Sequence, residues 1–144
     1  MTSWPIFMLV ANGLFAGGTV IVAARMPLWR RLPLAEFKPD FARALVVADK
    51  FQPALLLLAL VSTTIFAFRV DAPASWAAFA SAAGLVLILV ASGSVLVPLQ
   101  RRIIGSEDPA EVTRALRIRW LRGHLGRCAI AVVSFAFAIV AGTA

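Results

Sequence analysis

The chain has 144 residues, 61% hydrophobic and 15% charged, with a formal net charge of +7. A mean hydropathy of +0.90 exceeds what a soluble domain tolerates, and no stretch is left over for a soluble catalytic or nucleic-acid-binding module. The expected class is therefore all-α: an integral membrane protein built as one antiparallel four-helix transmembrane bundle, with no nucleic-acid partner.

Spans are expected at about 4–24, 44–68, 75–99 and 125–142, each close to the roughly 20 residues that a hydrocarbon core requires. The first has no basic stretch before it, and Arg25, Arg30 and Arg31 follow it, so it is expected to stay as a helix rather than be removed as a signal peptide. Gly13 and Gly17 form a small-xxx-small pair expected to pack on a neighbouring helix of the same chain, whereas Asn12, the only amide deep in a span, either ties helices together or faces a substrate cavity. Pro27 and Pro33 break the connection 25–43. Asp40, after Pro39, is the expected N-cap of a helix that enters span two, and Pro53 is expected to kink that helix.

Span three closes on Pro98, Leu99 and Gln100, and Arg101 and Arg102 read as a sharp polar stop. Within the connection 100–124, Ser106 to Glu111 reads as a turn and capped helix start. From Val112 one long helix is expected to carry Trp120 and His124 into span four.

Of the 14 Lys and Arg residues, all but Arg69 fall in or beside the connections 25–43 and 100–124. By the positive-inside rule those connections are cytoplasmic and both termini lie outside, as expected for a bacterial inner membrane. Such charges also favour anionic headgroups of the lipid bilayer. A lone Cys128 excludes an intramolecular disulfide or dithiol pair and reads as a buried structural thiol. With a single histidine the chain lacks the ligand spacing of an ordinary zinc, copper or bis-histidine haem site, so no metal and no cofactor is expected.

The cytoplasmic ends hold the densest chemistry. Arg25 closes span one, Asp49 and Gln52 open span two, and Gln100 closes span three. Arg117, Trp120, His124 and Arg127 recur at three- and four-residue steps and so share one face of a helix. An up-down-up-down bundle brings all these ends to one side, and ionisable groups at that depth are costly unless paired or wet. Arg101, Arg102, Arg114, Arg119 and Arg122 read as headgroup anchors.

With Ala-Arg-Met-Pro-Leu after helix one, Phe-Gln-Pro in helix two, Val-Pro-Leu-Gln closing helix three and Arg-Trp-Leu-Arg-Gly-His-Leu-Gly-Arg opening helix four, nearly the whole chain resembles the anthrone oxygenase-like family of small four-helix membrane proteins. The most specific part is a Trp, then a His or Asn four residues on, then an Arg: Trp120, His124 and Arg127 here. Gln100 stands where the family often has Asn. The resemblance implies oxidoreductase chemistry without metal or flavin, in which a lipophilic anthrone or phenol is deprotonated, reacts with dioxygen and loses water to give a quinone. It implies His124 as general base, suited by an unperturbed pKa of about 6.5, Arg127 with Arg25 holding the oxyanion, and Trp120 offering a flat face. Asn12, Gln100, Asp49 and Gln52 would then contact substrate, with Asp49 orienting His124. An alternative from the same residues is a non-catalytic accessory subunit of a larger membrane complex or homo-oligomer. A transporter would more naturally show broken helices in repeated halves.

Overall fold

The computed structural model describes residues 3–105 and 107–144; Ser106, where the expected turn 106–111 begins, lies outside the described residues. Among these, all regular structure is helical: α1 (Trp4–Ala24), α2 (Met26–Arg31), α3 (Leu34–Ala67), α4 (Ala74–Ala91), a π-helical turn (Ser92–Leu96), α5 (Val97–Gly105) and α6 (Ala110–Thr143). These join into four rods long and apolar enough to cross a membrane, 4–31, 34–67, 74–105 and 110–143. The protein is an integral membrane four-helix bundle. Helix α1 packs on α3 and α6, and α4 packs on the same two from the other side, closing a ring.

Small residues set how closely the rods approach. A Cβ on Gly84 of α4 would stand 2.1 Å from the Ser134 hydroxyl of α6, and one on Gly13 would stand 3.3 Å from the Phe135 ring. Gly13 thus packs on α6 of its own chain, as its spacing suggests. Gly17 does not: it is exposed, and a Cβ there meets nothing within 4 Å. The pair sits four residues apart, yet rotation of α1 turns the second glycine outward. The Ser134 hydroxyl can swing away from an alanine at position 84, but not from a branched chain. Gly84→Leu is expected to destabilise the monomer in detergent by about 1–3 kcal/mol, read as a lower melting temperature, and Gly17→Leu to leave it unchanged. Equal melting temperatures would contradict this packing.

Several polar side chains in the core are bound locally or across helices, whereas the buried Ser81 hydroxyl has no partner among the described residues. Asn12 Nδ2 donates to Met8 O at 2.9 Å and to Thr63 Oγ1 at 2.8 Å, tying α1 to α3, while the Thr19 and Ser62 hydroxyls donate to carbonyls three residues back. In lipid such bonds replace water that the backbone cannot reach.

Two expected helix ends move. Helix α3 begins at Leu34, with Pro33 extended before it, and Pro39 is absorbed near its start. The Asp40 carboxylate is not a cap; it accepts a 2.7 Å bond from Trp29 Nε1 and so fixes α2 beneath the bundle. At the end of span three the helix continues through Arg101 and Arg102 to Gly105, and an Arg102 to Asp108 ion pair at 2.9 Å bridges to the segment before α6.

Candidate functional site

Between α3, the π-helical turn and α6 lies a cavity of about 210 Å³. Its floor and walls are mostly apolar, from Val22, Leu45, Leu56, Leu89 and Leu96, and its polar groups are Asp49, Gln52, Ser92, Gln100, Trp120, His124 and Arg127. The volume falls somewhat below the roughly 300–1,000 Å³ usual for ligand sites, so any occupant enclosed by it must be small. Pro53, Leu57, Leu89 and Gly93 line the cavity and are also exposed on the lipid-facing surface. The cavity therefore opens sideways, between α3 and the π-helical turn.

Helical register explains the α6 wall. Trp120, His124 and Arg127 sit on one stripe, and the stripe faces inward: Trp120 is 2% exposed and His124 1%. The imidazole stacks on the Trp120 indole, centroids 5.0 Å apart and planes 8° from parallel, and Phe41 and Trp29 meet that indole edge-on at 4.7 and 6.0 Å. Trp120 is thus locked by aromatic neighbours and in turn orients the histidine ring.

His124 Nε2 lies 3.1 Å from the Thr19 carbonyl oxygen. A carbonyl only accepts, so Nε2 carries the hydrogen, and the neutral ring keeps its lone pair on Nδ1. Among the described residues no group bonds to Nδ1. Asp49, expected to orient the imidazole, instead accepts a bond from the Gln100 amide; Thr19 O takes that role, a backbone partner with no mark in the sequence.

Arg127 is half-buried. Its Nη2 donates to Gln52 Oε1 at 2.7 Å, Gln52 Nε2 donates to Gly18 O at 3.1 Å, and the guanidinium lies 5.7 Å from the Phe15 ring centroid. No carboxylate pairs with it among the described residues. Four residues lining this cavity each carry a buried polar atom without a partner among the described residues: Ser92 Oγ, Trp120 Nε1, His124 Nδ1 and Arg127 Nε. Elsewhere such atoms are costly. Here the two N–H donors, the acceptor lone pair and the hydroxyl belong to side chains that line one space, although the atoms themselves are buried.

Three residues expected at the site stand apart from it. Arg25 is exposed beyond the end of α1, beside Arg43 in a separate depression. Asn12 is buried between α1 and α3, ten residues or roughly 15 Å of helix rise from Val22 at the cavity. Arg117 turns away to donate to Leu32 O at 2.8 Å.

Sequence reasoning missed the π-helical turn, which places Ser92, Gly93 and Leu96 in the cavity wall. An extra residue per turn bulges the helix and shifts the register of the residues after it. Its signal was Ser92-Gly93-Ser94 inside an apolar span, since Gly/Ser pairs are a recurrent cause of helix distortion. Gly123 supports it from α6, where a Cβ would stand 2.7 Å from a Leu96 methyl.

Fold and cavity together define a membrane-embedded bundle with a part-polar cavity that opens toward the lipid-facing surface. A family model described as anthrone oxygenase matches residues 41–137, and the chain belongs to that family. The matched range contains every residue of the cavity wall except Val22. No curated protein and no solved structure matches the chain.

Proposed function

We propose that the protein oxygenates a flat, lipophilic anthrone or related phenol to a quinone in the cavity between α3 and α6. The observation that carries this reading is the setting of His124: Nε2 is held on the Thr19 carbonyl, which leaves the lone pair of the neutral imidazole on Nδ1, and Nδ1 has no partner among the described residues in a ring that lines the cavity. His124 removes a proton from the acidic methylene carbon of the substrate. The charge passes to the substrate oxygen, where the Arg127 guanidinium and the Trp120 N–H are the available donors. The electron-rich anion transfers an electron to dioxygen, the two radicals join to form a carbon–oxygen bond, and the imidazolium returns its proton to the peroxide. His124 then takes the second methylene proton as the oxygen–oxygen bond breaks. A carbonyl forms, hydroxide leaves, and that proton converts it to water. One anthrone and one dioxygen give one quinone and one water, so no other oxidant enters the balance.

The lateral opening suits a substrate dissolved in the bilayer, and Gly93 stands in it with nothing within 4 Å of a built Cβ. In this reading the basic ends of the rods, and with them the cavity, lie at the cytoplasmic face of a bacterial inner membrane, with both termini outside. The test is quinone formation from an anthrone by protein in lipid vesicles, followed alongside dioxygen uptake. The expected result is one dioxygen per quinone at a rate well above that of vesicles alone, and a much slower rate for Gly93→Trp with unchanged helix content. Rates equal to empty vesicles for anthrones, naphthols and quinols alike would sink the enzymatic reading and favour an accessory subunit.

A further inference from the structure

On the outer side of α6, away from that cavity, a depression of about 400 Å³ opens against α2 and is lined by Arg30, Arg117, Ile118, Leu121 and Arg122. Among the described residues its wall carries three guanidinium groups and no carboxylate. Arg117 is fixed in place, bonded to Leu32 O at 2.8 Å with its guanidinium 5.2 Å from the Phe37 ring centroid. Arg30 and Arg122 are exposed, and neither forms an ion pair among the described residues. Like charges gathered around one concavity repel each other, and an anion relieves that repulsion.

We propose that this depression binds the phosphodiester headgroup of an anionic phospholipid. Guanidinium forks match phosphate oxygens in a planar, two-bond geometry. The choice of a lipid over free phosphate rests on what continues from the site. Ile118, Leu125 and Val132 follow at seven-residue steps on one face of α6, exposed by 49%, 42% and 47%. That apolar track runs roughly 21 Å from the arginines into the span, about the depth an acyl chain occupies in one leaflet. A soluble anion has no use for it.

Binding is measured on the purified protein in neutral detergent by native mass spectrometry, titrating phosphatidylglycerol, phosphatidylcholine and inorganic phosphate in turn. The wild-type protein is expected to hold phosphatidylglycerol at least roughly tenfold more tightly than phosphatidylcholine, and a large excess of inorganic phosphate should not displace it. Arg30→Gln with Arg122→Gln is expected to weaken phosphatidylglycerol binding by roughly tenfold or more. Arg31→Gln with Arg119→Gln removes the same charge from the same two helices but outside the depression, and should leave binding within about twofold. Equal losses in the two double variants mean diffuse attraction and overturn the site. Displacement by inorganic phosphate, or no preference over phosphatidylcholine, overturns the lipid assignment.

Discussion

Replacing His124 with Ala is expected to slow quinone formation by about 10² to 10⁴, because the ring supplies the only unclaimed basic nitrogen among the cavity residues. The variant also removes the bond at 3.1 Å that the Thr19 carbonyl accepts from His124 in addition to its helix bond, and so some stability should be lost with the activity, about 0.5–1.5 kcal/mol. His124→Asn separates the two effects. An amide can still donate a hydrogen bond but has no basic lone pair, so the Asn variant is expected to melt closer to wild type while remaining as slow as the Ala variant. Near-normal turnover in His124→Asn would move proton removal to another group.

Arg127→Gln is expected to lower the rate by about 10² to 10³, the usual loss when a donor to a developing oxyanion is removed. Its stability should not fall. The guanidinium is half-buried at membrane depth, its Nη2 donates to the neutral Gln52, and no carboxylate pairs with it among the described residues; an ionised group so placed costs free energy. Arg127→Lys keeps the charge but loses the planar fork, and is expected to recover only part of the rate. A residue serving as a headgroup anchor gives the reverse pattern in both assays, with destabilisation by Gln and rescue by Lys. Thermal melts and turnover measured on the same preparations decide between them.

The bundle was legible because a membrane imposes few solutions: apolar length gave the rods, and the Trp120, His124 and Arg127 stripe came from helical spacing alone. What lay hidden were relations between helices. Arg25 reads as a natural companion to Arg127, yet α1 ends one residue earlier and leaves it exposed. Asp49 reads as the partner of His124, but the rotation of α3 gives it to Gln100, and a carbonyl from α1 reaches the imidazole instead. Gly17 repeats the spacing of Gly13 and faces outward, whereas Gly84, with no paired glycine to flag it, marks a close approach between α4 and α6. Depth and rotation of one rod against another depend on packing over its whole length, which a local pattern does not encode. The π-helical turn belongs to the same class, since Ser92-Gly93-Ser94 permits a bulge but does not require one.

Proton abstraction by His124 can be isolated from the later oxygen chemistry. An anthrone held with the protein in lipid vesicles, under strict exclusion of dioxygen and in deuterated water, should exchange its methylene hydrogens faster than in empty vesicles. That excess should disappear in His124→Ala and in His124→Asn and shrink in Arg127→Gln, with exchange measured by mass spectrometry of the recovered substrate. An exchange rate in wild type equal to that in empty vesicles, or an excess that survives the loss of the imidazole, would contradict the account.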